Sequence, residues 1–347
     1  KPLSLLFAIP DHPWVDTQFG AAVRISMTVG AVGNRVGRLQ TVRSEAKERS
    51  ETDGRSVVFD HQIGKVFANL QIGADVAGAK ALSSNKGLAY MGVKLHGTGF
   101  VLSRAEAEEI KTLDGTEADA HIRDYWNGRD FATIPRESLL PNAFQIVLDR
   151  IKPERMENNR KVYRDNWWIF GEPRKELRPA LKQLKRYIAT IQTSKHVTFQ
   201  FLPKSILPDA TLIAICIDYA ASLALLSSNH HVAWALASGG WLGIGNDPRY
   251  NHSRCFNPYP FPSLTEDQKT TLRALGEDLD AHRKRQQAAH PKLTLTQMYN
   301  VLEKLRAGET IEGKDKEIYD QGLSASFVTC TTRSTPPWPM PTAGPWT

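Results

Sequence analysis

The stretch 158–187, NNRKVYRDNWWIFGEPRKELRPALKQLKRY, interleaves cationic with planar side chains. Residues 151–200 hold 12 Lys and Arg against 5 Asp and Glu. Cations neutralise phosphate charge, planar side chains stack on bases, and a guanidinium group can grip a guanine edge or a phosphate with two hydrogen bonds. The pattern predicts a surface that reads DNA. The alternative is an exposed helix whose aromatic side chains are core, because basic, aromatic segments also occur on ordinary solvated faces.

Individual candidates follow from this chemistry. Phosphate contacts are expected from Lys152, Arg155, Arg160, Lys161, Lys175 and Lys185. Orientation of the duplex or base reading is expected from Arg164, Asn166, Arg174, Arg178, Arg186, Lys195 and Arg249. Geometry favours the pairing of arginine with guanine and of asparagine with adenine. Trp167 and Trp168 are expected to anchor the loop, one buried and the other against DNA.

A second polar run, Arg249–Arg254, contains Asn251 and precedes a proline-aromatic corner. It fits a DNA contact and a loop with satisfied side chains equally well, since such mixed polar loops make many protein–DNA hydrogen bonds. Weaker DNA-contact candidates on turn segments are Lys94, His96, Arg123, Asn127 and Arg129.

Composition sets broad limits. The 347 residues carry a formal net charge of +7, which favours a polyanionic partner without identifying one. The length suggests about two domains. Cys216, Cys255 and Cys330 are far apart and form no CxxC, so a disulfide framework or a zinc site is not expected and a reducing cytoplasm fits. No apolar run reaches about 18 residues, so no membrane span is expected.

Periodicity predicts the elements that would position these residues. Strands are predicted at 3–9, 21–29, 195–202 and 212–217. Helices are predicted from Ser103, over 143–160, 175–187 and 220–236, and as a hairpin over 265–304. Polar residues 30–60 predict a linker or an exposed hairpin.

Other motifs point to chemistry less strongly. Asn257-Pro258-Tyr259-Pro260-Phe261 resembles the NPPY/F tetrapeptide of amino-methyltransferases, but the residue order differs, so we interpret it as a structural corner. Asp11, Glu45 and Lys47 fit the loose pattern of Mg²⁺-dependent nucleases, which chance also produces readily. His230-His231 fits a surface or packing pair better than a pair of metal ligands.

The tail, residues 328–347, is dense in Pro and Thr and has no periodicity, which predicts disorder. A second hypothesis is a shifted reading frame. Codons that encode this tail, when read one base out of frame, can encode an amphipathic helix. The chain also opens on a strand without a start Met, which predicts sequence upstream of it.

The chain resembles the C-terminal part of the large MmeI-like type IIG/IIL restriction–modification enzymes and their adenine-specific DNA methyltransferase relatives. The matching pieces are FAIPDHPWVD…GAAVRISMTVG, LQIGADVAGAKAL…GVKLHGTGFVL, YRDNWWIFGEPRKELRPAL…RYIAT…SKH and GIGNDPRYNHSRCFNPYPFP. They extend over residues 1 to about 327 and are specific only in combination.

The resemblance implies an α+β fold with 1–30 as the last strands of a methyltransferase core, 31–262 as a target recognition domain and 263–327 as a helical region. The glycine-rich S-adenosylmethionine motif and the NPPY/F motif of the family are absent from this sequence. We therefore expect a DNA-recognition part without a cofactor of its own. S-adenosylmethionine and the methyltransferase core would belong to the longer parent. The alternatives are a stand-alone DNA-binding module and, less favoured, a Mg²⁺-dependent nuclease.

Overall fold

The computed structural model describes residues 2–13, 24–45, 57–114, 123–133, 147–242 and 247–322. Its strands are β1 (Leu3–Pro13), β2 (Arg24–Val32), β3 (Gly37–Glu45), β4 (Val57–Gly64), β5 (Ala89–Met91), β6 (Asp124–Trp126), β7 (Arg186–Ile191), β8 (Phe199–Pro203), β9 (Ile206–Pro208), β10 (Leu212–Ile215), β11 (Gly240–Leu242) and β12 (Asp247–Arg249). Its α-helices are α1 (Arg104–Asp114), α2 (Gly128–Thr133), α3 (Lys152–Met156), α4 (Lys161–Asp165), α5 (Leu177–Lys182), α6 (Ala220–Leu226), α7 (Asn229–Ser238), α8 (Glu266–Ala289), α9 (Leu295–Arg306) and α10 (Gly313–Gly322). The predicted α+β class is confirmed.

The first sheet has the order β2-β1-β3-β4, with β1 antiparallel to β2 and parallel to β3. Of residues 30–60, those described end β2 and contribute β3 and the start of β4, which pair antiparallel in this sheet as the hairpin alternative predicted. The boundary expected near residue 30 thus falls inside one sheet. A small core forms around Ala8, Leu39 and Val66.

The central sheet has the order β5-β10-β7-β8 and is almost entirely buried. The strand predicted over 212–217 is confirmed as β10, whereas β8 begins only at Phe199. Tyr187, expected at the end of a basic helix, lies instead in β7 with no exposed surface. Its hydroxyl donates to the carbonyl oxygen of Ile206 at 3.0 Å. The continuously buried run in RYIATI, typical of a strand covered on both faces, has prevailed over the helical pattern before it.

The helices predicted over 265–304 are α8 and α9, separated near Pro291 as expected. Each starts with a capping box, formed by Thr265 with Gln268 and by Thr294 with Gln297. Such reciprocal caps satisfy amide groups that the first helical turn leaves unpaired. No helix in the described ranges is long and apolar enough to cross a membrane.

The helix α8 is fixed to the central sheet by polar contacts. Arg283, fully buried, donates from Nη1 to the carbonyl oxygen of Phe199 at 2.5 Å. One turn away, Asp280 Oδ1 accepts from the Phe201 amide at 2.9 Å. These contacts make α8 part of the same core as the sheet.

The helix predicted over 220–236 is two helices, α6 and α7. Ser228 interrupts them and caps α7, since its hydroxyl accepts from the His231 amide at 3.3 Å. Gly276 in α8 allows close packing against α6, because a Cβ there would lie 2.1 Å from the Ala220 carbonyl oxygen.

Candidate nucleic-acid interface

The basic segment folds as three short helices, α3, α4 and α5, followed by β7. Of the helix predicted over 143–160, residues 143–146 lie outside the described residues, and a π turn at Val147–Ile151 leads into α3. In α5, Leu177 and Leu181 are buried and fix its inner face. Arg178 and Lys182, also four residues apart, are exposed on the outside.

Arg155 departs from the expected phosphate contact because only 1% of it is exposed. Its Nε donates to the His96 carbonyl oxygen at 3.0 Å, and its Nη2 donates to the carbonyl oxygens of Leu95 at 2.9 Å and Ile169 at 3.3 Å. The guanidinium also lies over the rings of Phe100 and Tyr163. Burial lowers the pKa of Arg155. This side chain holds the interface together from within.

The loop after α4 pairs with residues 94 and 95, which lie between β5 and α1. The Gly171 amide donates to the Leu95 carbonyl oxygen at 3.1 Å, and Lys94 and Glu172 exchange backbone hydrogen bonds at 2.9 and 3.1 Å. A Cβ on Gly171 would lie 2.0 Å from the ring of His96, so only glycine fits there. The loop that carries the tryptophans is therefore held in place by backbone pairing.

Neither tryptophan of the loop is fully buried, so the expected buried anchor is not found. Trp167 is half-buried and meets Trp168 edge to face at 5.6 Å between ring centroids. Lys152 Nζ lies 5.2 Å from the centroid of the Trp167 ring. Trp168 is 50% exposed and presents one ring surface to solvent. An exposed indole on a rigid support is suited to stacking on a base.

Several predicted contacts are engaged within the protein. Arg186 pairs with Glu277 through both terminal nitrogens and lies 3.7 Å from the centroid of the Phe201 ring. Arg174 pairs with Glu172, and its Nε donates to the Gly92 carbonyl oxygen at 3.3 Å. These arginines orient the strands and loops of the interface.

Other members of the set have local partners. Arg164 Nη1 donates to the Asn158 carbonyl oxygen at 2.6 Å, and Asn166 Nδ2 donates to the Val162 carbonyl oxygen at 3.1 Å. Asn251 caps a π turn by accepting from the Ser253 amide at 3.0 Å. Lys161 forms an exposed intrahelical ion pair with Asp165, a contact of a kind that stabilises little.

The remaining predicted cations are on the surface. Exposed members of the set are Lys152, Arg160, Lys161, Lys175, Arg178, Lys185, Lys195 and Arg249. The structure brings those between 152 and 185 onto one continuous segment. It sets Lys195 and Arg249 apart on the far end of the central sheet, where Thr193 and Arg249 form a backbone bridge.

Sequence reasoning missed a basic cleft beside α5. The cleft has a volume of about 750 Å³, and its cationic lining residues are Arg123, Arg178, Lys182 and Lys204. Arg178 links it to the aromatic segment, since its guanidinium lies 5.5 Å from the centroid of the Phe170 ring. The spacing of Arg178 and Lys182 was a usable signal, but Lys204 is brought close only by the β7–β8 hairpin.

The proline-aromatic corner is structural, as interpreted. Asn85 Nδ2 donates to the carbonyl oxygens of Phe256, Asn257 and Tyr259 at 3.2, 3.1 and 2.8 Å. Tyr259 is buried and meets His231 edge to face at 4.4 Å. Burial raises the pKa of Tyr259 to about 12, which leaves its hydroxyl neutral.

His231 packs in the core, and its burial lowers the pKa of the imidazole to about 3. Among the described residues no group of three or more His, Cys, Asp or Glu could hold a metal ion. The nuclease hypothesis is not tested by the structure, because Lys47 lies outside the described residues.

The basic cleft does not suit S-adenosylmethionine. Among the described residues it is lined by four cations and no carboxylate, whereas this cofactor carries a positively charged sulfonium and ribose hydroxyls that a carboxylate would bind. No methyl-transfer step is therefore assigned to these residues.

Comparison with solved structures gives a clear likeness of fold. The chain is similar to the type IIL restriction–modification enzyme MmeI, solved in complex with DNA, with a TM-score of 0.60 and 15% sequence identity. The likeness covers 96% of this chain and 42% of the MmeI chain, so this chain spans less than half of that enzyme. No protein-family model matches the sequence. No curated protein matches it either. The chain has a fold found in part of a restriction–modification enzyme.

Proposed function

We propose that this chain is the DNA-sequence-recognition part of an S-adenosylmethionine-dependent adenine-N6 DNA methyltransferase of a restriction–modification system. One observation carries the proposal: exposed cations and the half-exposed Trp168 lie on a segment held rigid by Arg155, within a fold shared with part of MmeI. Double-stranded DNA is the partner that fits this chemistry.

Phosphate contacts are best assigned to the exposed cations Lys152, Arg160, Lys161, Lys175 and Lys185. Lys161 can exchange its exposed partner Asp165 for a phosphate at little cost, because such pairs are weak. Arg178, Lys195 and Arg249 are the exposed candidates for base reading.

The first sheet supports the proposed methyltransferase core as a second partner, joined in the same polypeptide of the parent. Its strands leave apolar side chains exposed that a folded protein usually covers: Leu3, Val29, Val32, Val58 and Ile63. In the described part of the chain, no further strand pairs with its outer strands, β2 and β4. The upstream core would supply S-adenosylmethionine, the catalytic motif and the pocket for the extruded adenine. The cytoplasm is the compartment in which such a system would meet DNA.

Recognition is tested by duplex binding of the 347-residue chain, with a variant and a matched control. We expect Arg160→Ala/Lys175→Ala to weaken binding and to make the slope of log Kobs against log salt shallower by about 1.8, from about 0.9 per phosphate. The control is Lys292→Ala/Lys314→Ala, which removes one exposed cation from the turn between α8 and α9 and one from α10. Equal slopes for all three proteins would refute the assignment.

The enzymatic part of the proposal is tested separately by sequencing the genomic DNA upstream of this reading frame. An upstream frame that encodes a glycine-rich S-adenosylmethionine motif and an NPPY/F motif supports it. A start codon immediately before Lys1 would favour a stand-alone DNA-binding module instead. The same sequence also decides the frameshift hypothesis for residues 328–347, which lie outside the described residues.

A further inference from the structure

The basic cleft beside α5 lies next to the predicted interface and has two well-defined walls. One wall is α5, whose buried Leu177 and Leu181 turn Arg178 and Lys182 outward, one helical turn apart. The other wall is the β8–β9 turn with Lys204. Because α5 and the turn are both fixed to the core, the cations are held close whether or not a ligand is present.

Arg123 reaches the cleft through a different element. β6 pairs in parallel with β9, Asp124 opposite Ile206, and Arg123 directly precedes that pair. It therefore lies beside the same turn that carries Lys204, and it also lines the cleft. Side chains from three separated parts of the sequence thus converge on one volume.

The charges that line the cleft favour an anionic ligand. Among the described residues, its lining contains four cations and no carboxylate. Burial lowers the pKa of Arg178, and the nearby charge of Arg123 lowers it further. Clustered cations of one sign raise the local potential and attract anionic ligands.

The lining also indicates which anion fits. Arginine presents a planar fork of donors to phosphate, and lysine acts as a mobile point charge beside it. The floor is apolar, with Leu181, Ile206 and Leu207, and suits the sugar carbons of a nucleic-acid strand. The volume of about 750 Å³ admits more than a single phosphate group.

From this geometry we propose that the cleft formed by Arg123, Arg178, Lys182 and Lys204 binds phosphate groups of the DNA backbone, and so extends the interface from Phe170 around α5 to Lys185. Lys185 continues the same surface, because its carbonyl oxygen accepts from the Lys204 amide at 3.2 Å. The inference rests on the proposed function, since it presumes that the chain binds duplex DNA. It adds Lys182 and Lys204, which the sequence did not single out.

The test uses Lys182→Gln/Lys204→Gln in the 347-residue chain, with Lys292→Gln/Lys314→Gln as the matched control. Both targets are exposed, so the melting temperature should stay unchanged. Loss of two phosphate contacts makes the salt slope shallower by about 1.8, so the affinity ratio of wild type to variant falls about twelvefold between 50 and 200 mM salt. Titration with inorganic pyrophosphate distinguishes free phosphate from the DNA backbone.

The outcomes separate the two proposals. A shallower slope in the cleft variant alone supports the inference. Duplex binding by the wild type with the same slope in the cleft variant overturns the inference and leaves the proposed function in place. Pyrophosphate binding that the variant loses without a change in duplex binding also overturns it, in favour of a free phosphate ligand. A wild-type chain that does not bind duplex overturns both.

Discussion

Replacing Arg155 by alanine tests whether this cation is a structural support or a phosphate contact. The substitution leaves the carbonyl oxygens of His96 and Ile169 without their side-chain donor, whereas that of Leu95 keeps the Gly171 amide. Each of the two carbonyl oxygens that lose their partner costs roughly 1 kcal/mol, and the vacated space costs about 1 kcal/mol more. We expect the free energy of unfolding to fall by about 3 kcal/mol.

Two assays are used: urea denaturation of the chain, and hydrogen exchange under native conditions in the peptide that spans 160–172. Arg155→Ala should lower the denaturation midpoint and raise the exchange rate of the Gly171 and Glu172 amides, because their pairing with Lys94 and Leu95 loses its support. The matched control is Arg160→Ala, an exposed neighbour whose removal should change stability by less than about 0.5 kcal/mol.

The structural role of Arg155 would be refuted by a specific result. If Arg155→Ala left the denaturation midpoint and the exchange rates unchanged but made the salt slope of duplex binding shallower by about 0.9, the side chain would be a phosphate contact. Arg155→Lys separates the two effects further. It keeps the charge but cannot reach three carbonyl oxygens from one planar group, so it should restore only part of the lost stability.

Three further outcomes concern the core and its supports. Gly171→Ala should lower the free energy of unfolding, measured in urea, by about 1–3 kcal/mol, because its Cβ would lie 2.0 Å from an imidazole ring. Gly240→Ala is the control, because no atom lies within 4 Å of the added Cβ. Equal effects of the two substitutions would contradict this reasoning. His231 has a pKa of about 3 in the folded chain and about 6.5 in the unfolded chain. Acidification from pH 7 to 5 should therefore lower the free energy of unfolding by about 2 kcal/mol, because only the unfolded chain takes up a proton at this site. His231→Gln should flatten that part of the pH profile, and an unchanged profile would contradict the argument. A double-mutant cycle of Arg186→Gln and Glu277→Gln should give a coupling of about 1 kcal/mol in urea denaturation, and strict additivity would show that the pair contributes nothing.

Local patterns predicted the parts of the fold that local interactions decide. Ser103 and Glu106 form the expected cap, with the Ser103 amide donating to Glu106 Oε2 at 2.7 Å. Thr265 and Gln268 do the same for α8. Both signatures depend on residues three apart, so nothing distant in the chain can alter them.

Long-range contacts decide the features that the sequence did not reveal. Arg155 looks like any other cation of a basic segment, and only the approach of residues 95 and 96 removes it from solvent. Arg283 is comparable, although a signal existed: it continues the buried positions Leu272, Gly276 and Leu279 at helical spacing. The cleft has no local signature, because Arg123 and Lys204 meet through the parallel pairing of β6 with β9.

The anchoring of α8 and α9 in the central sheet sets the smallest piece of this chain that could be moved into another protein with its core intact. Arg283 and Asp280 satisfy backbone groups of β8, while Met298 and Val301 of α9 belong to the same buried cluster as Tyr187. A graft that ended at residue 262 would leave this cluster uncovered. A piece that keeps the cluster whole extends through α10, whose Ile318 belongs to it.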